Sequence, residues 1–293
     1  MTNDIVVLGG GITGLTAGYL LNAPVVTSNV GGQSSCSFPL GPRYIHSTPE
    51  TKEFISSLGL SIDERTVKVG YFYKGKYHTK IPKRLVAEYN MKTRGTSDTS
   101  SSIGRGSFKA LSTSFNDVID RLSGKVEVII DYIKKISGNT LHGEKGDYKF
   151  RVLISTIPLP RLYELYSLHP PFRYISIGYC FSSFDESFFL AQTFGDFDYV
   201  YFPERKYPYY RITKTDEGFV YEFVYDEKLT YPDGMVWQEF GKILPPTFGP
   251  PADNVILLGR FGKWIDDYLF QDVLRDIKCI LSEKAVHDVQ AVH

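Results

Sequence analysis

The feature that most constrains this chain is a run of glycines between an apolar strand and a helix. Ile5-Val6-Val7-Leu8 is a short continuous apolar segment, the pattern of a strand buried on both faces of a parallel sheet. Gly9-Gly10-Gly11-Ile12-Thr13-Gly14 follows directly, and Ile12 to Leu21 reads as a helix with small residues at Gly14, Ala17 and Gly18. A GxGxxG turn in that setting has a specific physical use. Gly9 permits a tight turn, Gly11 lets a pyrophosphate approach the backbone, and Gly14 lets helix and strand pack closely. The helix N-terminus adds free N–H groups and a partial positive charge. The pattern predicts a dinucleotide site using Gly9, Gly11, Ile12, Thr13 and Gly14.

A second glycine pair, Gly31-Gly32, follows the next short strand, Pro24-Val25-Val26. It adds backbone N–H groups near the pyrophosphate of a long dinucleotide, and with the continuation Gly14-Leu15-Thr16-Ala17 it leans toward FAD. The usual acid at the end of that second strand, which accepts from the ribose hydroxyls, is missing: no Asp or Glu occurs between Ile5 and Pro49. Thr27, Ser28 or Asn29 would have to bind the ribose as neutral groups.

Further along, Thr48 is placed to cap a helix that has Pro49 at its first position and runs to about Leu58. Val67 to Thr79 alternates around Lys74-Gly75 as a hairpin, and Pro82 to Tyr89 is a short helix. Lys92 to Gly106 is loop-like. Ser107 to Leu122 carries apolar residues at helical spacing, which predicts an amphipathic helix. Strands are expected over Val126–Ile130, Ile133–Ile136 and Phe150–Ile154, the last ended by Ser155-Thr156-Ile157-Pro158, with a helix over Pro160–Tyr166. From Tyr174 to Val224 the period changes to two, and four antiparallel strands are expected. Asn254–Leu258 is an apolar strand ending in Gly259-Arg260-Phe261-Gly262, before a helix from about Asp266 to Glu283.

The predicted fold class is α/β: a Rossmann-like FAD-binding domain, with a parallel sheet and helices, plus a smaller domain with an antiparallel sheet. The first would comprise residues 1–80, 105–160 and 250–293, and the second residues 81–104 and 161–249.

Composition narrows the function. With 33 basic and 33 acidic residues among 293, the chain is no general polyanion binder, which excludes nucleic acid as the expected partner. Three separated cysteines give neither a disulfide scaffold nor a CxxC zinc site, and the six histidines have no ligand spacing. No GxSxG elbow is present. No apolar run reaches membrane-spanning length, and the opening residues carry no basic n-region or cleavage site, so a cytoplasmic location is expected.

Four segments carry a resemblance. Gly41-Pro42-Arg43-Tyr44-Ile45-His46-Ser47 resembles a GPHIFHT segment, Tyr207-Pro208-Tyr209-Tyr210-Arg211-Ile212 a PYTRI segment, and Gly259-Arg260-Phe261-Gly262-Lys263-Trp264 a GRLGxY segment. Ile154-Ser155-Thr156-Ile157-Pro158 resembles the strand end that closes an FAD domain. In this order they are similar to the FAD-dependent amine oxidase superfamily, and within it to the UDP-galactopyranose mutase-like branch, reduced in size. The stretch from Lys83 to Gly106 is too short for that branch's inserted helical segment, and Arg43 replaces its first histidine.

The resemblance implies an FAD cofactor and adds Gly31, Gly32, Gln33, Tyr44, Ile45, Val128, Thr156, Gly259, Arg260 and Trp264 to the cofactor-binding set, beside Thr27 and Ser28. It implies catalytic roles for His46, over the flavin ring, and for Arg211, as a clamp on an anionic group of a small-molecule substrate. Each has a structural alternative: His46 as a histidine at a helix start, Arg211 as an edge-strand arginine paired with Asp216 or Glu217. Cys36 is either a plain buried residue or a covalent flavin link, and Asp266-Asp267 either carboxylate catalysts or complements to a helix dipole. The activity implied is an FAD-dependent oxidoreductase passing a hydride from a small organic substrate to flavin N5. The alternatives are a flavin-dependent sugar-nucleotide mutase and a non-catalytic nucleotide-binding protein.

Overall fold

The computed structural model describes residues 2–35, 40, 43–99, 103, 106–185 and 193–290. Gly41, Pro42 and Cys36 lie outside them. The strands are β1 (Thr2–Gly10), β2 (Val25–Val30), β3 (Glu64–Val67), β4 (Val69–Tyr73), β5 (Lys76–His78), β6 (Phe108–Leu111), β7 (Val128–Ile130), β8 (Ile133–Ser137), β9 (Thr140–Gly143), β10 (Asp147–Ser155), β11 (Arg173–Ser183), β12 (Tyr199–Tyr201), β13 (Tyr209–Lys214), β14 (Gly218–Val224), β15 (Val236–Leu244) and β16 (Val255–Leu257). The helices are α1 (Ile12–Leu21), α2 (Pro49–Ser57), α3 (Lys83–Arg94), α4 (Phe115–Ser123), α5 (Leu159–Leu165), the single turn α6 (Gly259–Gly262) and α7 (Phe270–Gln290).

The first sheet runs β7-β2-β1-β10, all parallel, with β16 parallel to the end of β10. The hairpin β8–β9 extends it antiparallel. Its central strands are apolar on both faces because both are covered. Val7, Val25 and Ile154 pack against α1, α4 and α7, while Val6, Val26 and Leu153 pack toward β15 and Trp264. The second sheet runs β15-β11-β14-β13-β12-β4-β5 and is antiparallel except at β12–β4. One cluster on it gathers Tyr71, Tyr89, Tyr179, Tyr199, Tyr201 and Tyr210 under α3. Another gathers Phe194, Phe202 and Phe219. The predicted fold class is the one observed.

Several elements differ from expectation. Ser107–Leu122 is not one helix but β6 followed by α4. Ser114 and Asp117 form a capping box, with Asp117 N donating to Ser114 Oγ at 3.1 Å and Ser114 N to Asp117 Oδ2 at 2.8 Å. That box starts a helix at Phe115 and frees residues 108–111 to pair with β3. The hairpin β4–β5, grouped by sequence with the nucleotide-binding segments, joins the second sheet through Val69↔Tyr199. Strand β15 was not anticipated. Helix α7 begins at Phe270 rather than Asp266, whose carboxylate is held by Arg94 and Arg260 instead. The capped start of α2 is as expected, with Thr48 and Thr51 completing a capping box.

Candidate functional site

The site is built at the carboxyl ends of β1, β10 and β16, where open parallel sheets bind ligands. At Gly9 the backbone takes φ +113°, and a Cβ there would lie 2.5 Å from Thr156 Oγ1. A Cβ at Gly14 would lie 1.7 Å from the Gly9 carbonyl oxygen. The protein's own packing therefore requires glycine at both positions. Gly11 is different. It is the N-cap of α1 in an ordinary extended conformation, and a Cβ there would meet nothing within 4 Å. Packing does not require a glycine at Gly11, and the space beside the helix N-terminus is open. No side chain caps α1, and its first turn carries no acid, so the orphan N–H groups of that turn remain available to an anion.

Two further turns close on this point. Gly31 N donates to Gly10 O at 2.9 Å, and a Cβ on Gly32 would lie 3.3 Å from Gly11 Cα. From the far end of the chain, Gly259 packs on Thr13, where a Cβ would come within 2.9 Å of the threonine side chain. Gly262 abuts the Ser155 carbonyl at the end of β10. Residues 9–14, 31–32 and 259–262 thus share one locality although Gly14 and Gly259 are 245 positions apart in sequence. Thr156 Oγ1 donates to the carbonyls of Leu8 and Gly9, which holds the first turn in place.

The structure assigns several predicted contact residues other work. Thr27 is committed to the backbone: its hydroxyl accepts from Gly10 N at 2.9 Å and donates to Asn29 O at 2.7 Å. Ser28 and Asn29 are exposed beside it. Gln33 is exposed, and its carbonyl accepts from Arg43 Nη1 at 2.8 Å. Val128 is half-buried on β7 next to β2. Ile45 is buried in the core of the first sheet. Arg260 donates to the Gly241 carbonyl and to both the carbonyl and the carboxylate of Asp266. Trp264 is fully buried against Phe172, Tyr174 and Phe240, so its ring forms core rather than a cavity wall.

The two predicted catalytic residues lie on the second sheet's side. His46 bridges to Ala110 and stacks on Phe108, with ring centroids 4.2 Å apart. Tyr44 stacks on Tyr199. Arg211 is paired, but not with Asp216 or Glu217. Its Nε and Nη2 bind Glu222 at 2.5 and 2.7 Å, directly across the β13–β14 ladder. The register shifts between Tyr209 and Arg211, and this bulge lets Tyr210 donate to the same carboxylate at 2.6 Å. Glu222 is fully buried. Burial opposes charge on Arg211, but the Glu222 carboxylate more than offsets it and holds the guanidinium charged. Burial likewise holds the Tyr89 and Tyr210 hydroxyls far above their ordinary range, so both stay protonated and Tyr210 donates to Glu222.

Sequence reasoning missed three charged residues here: Lys92, Arg94 and Lys242. Lys92 donates to the carbonyls of Phe202, Glu204 and Tyr209, pinning the β12–β13 turn to α3. The available signal for Lys242 was a lone lysine in the apolar run Phe240 to Leu244. Among the described residues no cluster of His, Cys, Asp and Glu could hold a metal, and no helix is long and apolar enough to cross a membrane.

No protein-family model matches this sequence, and no curated protein matches it. Solved structures match in shape. Reduced UDP-galactopyranose mutase superposes with a TM-score of 0.65 at 14% identity, covering 96% of this chain and 94% of the other. A protein assigned as a protoporphyrinogen oxidase from Exiguobacterium sp. 255-15 gives 0.65 at 13% identity over 98% and 99%. Putrescine oxidase bound to putrescine gives 0.51 at 13% identity over 78% and 76%. At these identities the likeness establishes the fold, the one that the resemblance to the FAD-dependent amine oxidase superfamily implies.

Proposed function

We propose that this chain is an FAD-dependent oxidoreductase acting on a small organic substrate. The observation that carries the reading is Gly11: a glycine at a helix N-terminus that packing does not require, with the Gly32 and Gly259 turns packed beside it. The residues fit the cofactor. The N–H groups of Ile12, Thr13 and Gly14 would receive the pyrophosphate, and the Gly31–Gly32 turn would extend that cradle. With Thr27 occupied, Ser28 and Asn29 are left to contact the ribose. When bound, FAD supplies a ring that accepts a hydride from a C–H bond next to an amine or hydroxyl. The chain's own part is to position the substrate. The second sheet, with its tyrosines and the Arg211–Glu222 pair, gives that substrate a rigid wall.

A flavin-dependent isomerase is the second reading, favoured by the full-length likeness to UDP-galactopyranose mutase. Both predict yellow protein with flavin absorbance bands. Bleaching by substrate without oxygen supports the oxidoreductase. Sugar-nucleotide turnover only after dithionite reduction supports the isomerase. Colourless protein that cannot be reconstituted with FAD contradicts both.

A further inference from the structure

Lys242 lies on β15 between buried neighbours, with Phe240 before it and Ile243 and Leu244 after. Lys242 itself is half-buried, so its amine keeps part of its hydration, yet a lysine in such a run normally finds a carboxylate. This one does not. Its Nζ makes no hydrogen bond or ion pair with any described residue, and the nearest feature is the Tyr210 ring, 5.0 Å to the centroid. The carboxylates within its reach are already engaged. Asp266 is held by Arg94 and Arg260, and Glu222 by Arg211 and Tyr210.

The charged groups around Lys242 are Arg94 from α3, Arg211 from β13, Glu222 from β14 and Asp266 from the carboxy-terminal turn, and Arg260 reaches the same place by donating to the Gly241 carbonyl and to Asp266. Lys242, Arg94, Arg211 and Arg260 against Asp266 and Glu222 leave an excess of positive charge in half-buried surroundings. A second unmet donor belongs to the same group, since Arg94 Nε is buried without a partner. A partly accessible amine with no hydrogen-bond partner among the described residues, beside guanidinium groups, is placed to receive an anionic group.

We infer that Lys242 and Arg94 form an anion-binding site, and that the molecule held there carries a carboxylate or phosphate group. Calling that molecule the substrate rests on the flavoenzyme reading; the anion site itself does not. A consequence follows for pH. Burial brings the Lys242 amine down to about 8, with Arg211 and Arg94 pushing the same way and Asp266 and Glu222 opposing. A bound anion favours the protonated amine, so above about pH 8 binding takes up a proton.

The test is calorimetric titration of the full chain with sulfate and separately with acetate, neither of which titrates between pH 7 and 9. Butylammonium chloride is the cationic control. Saturable binding is expected, roughly tenfold weaker at pH 9 than at pH 7, because the protonated fraction falls about that much across the Lys242 pKa. Tighter sulfate than acetate points to a phosphate-bearing ligand, and the reverse to a carboxylate. Lys242→Met should lose at least about tenfold in affinity. Lys242→Arg should keep binding and lose the pH dependence, because a guanidinium does not titrate there. Equal binding by Lys242→Met, pH-independent binding by the wild type, or no saturable binding overturns the inference. FAD content is read on the same samples. Anion binding without FAD would sink the flavin reading alone, and FAD without anion binding would sink this inference alone.

Discussion

At the N-terminus of α1 the protein is open and uncharged. Gly11 has free space beside it, no acid stands near, and backbone N–H groups are the available chemistry. Under α3, the second sheet is closed and charged. Six tyrosines are buried there, Glu222 is fully buried with two partners, and Arg211 lies among rings. The first region is shaped by what it leaves out, and a ligand would complete it through the backbone. The second pairs Arg211 with Glu222 but leaves Arg94 Nε and Lys242 without hydrogen-bond partners among the described residues, and any ligand must enter that electrostatic balance. Substitutions should therefore separate them. At the Arg211–Glu222 pair they act on stability, and at Gly11 they act on binding.

The largest expected effect is Glu222→Leu. It strands a buried guanidinium, and urea unfolding should show a loss of about 3–5 kcal/mol. The double substitution Arg211→Met with Glu222→Leu should recover most of that loss, because no charge is left unpaired. A double variant as unstable as the single one would mean that packing, not charge, governs this face.

Next comes the pair Gly14→Ala and Gly11→Ala. The first drives a Cβ into the Gly9 carbonyl and should cost about 1–3 kcal/mol in urea, the range of overpacked sites. The second meets nothing. It should change the stability of cofactor-free protein by no more than about 0.5 kcal/mol, while weakening FAD binding measured by fluorescence. Equal destabilisation by both would erase the contrast.

The smallest effect concerns Lys92. Burial brings its amine down to about 7, against Glu88 and Glu204, which act the other way. The unfolded chain then binds more protons than the folded one between about pH 7 and 10. Stability from this group therefore rises with pH across that window. Urea midpoints at pH 7 and 9.5 should show the rise, and Lys92→Met should flatten it.

The same contrast explains what could be read beforehand. Glycines at Gly9, Gly11 and Gly14 are dictated by geometry within a few residues, so their pattern survives in the sequence. The Thr48-Pro49 helix start is local in the same way. Residues 107–122 show where local reading stops, because the spacing of Phe108, Leu111, Phe115 and Val118 suits a helix, while Ser114 and Asp117 mark where it begins. The partner of Arg211 depended on strand register and a bulge, which place Glu222 opposite it rather than the nearer Asp216 or Glu217. Trp264 reads as a pocket aromatic by motif, yet the fold puts Phe240 and Phe172 against it, a contact set by how β15 meets the first sheet. Arg94 and Lys242 come from segments about 150 residues apart, and their shared neighbourhood exists only after folding.

The account rests on the α1 N-terminus holding a flavin dinucleotide, and stoichiometric titration of cofactor-free protein with FAD tests it most directly. Flavin fluorescence should change up to one equivalent for the wild type, far more weakly for Gly11→Ala, and only feebly when FMN replaces FAD. A wild type that leaves FAD fluorescence unchanged, or that binds FMN as well as FAD, would contradict the account.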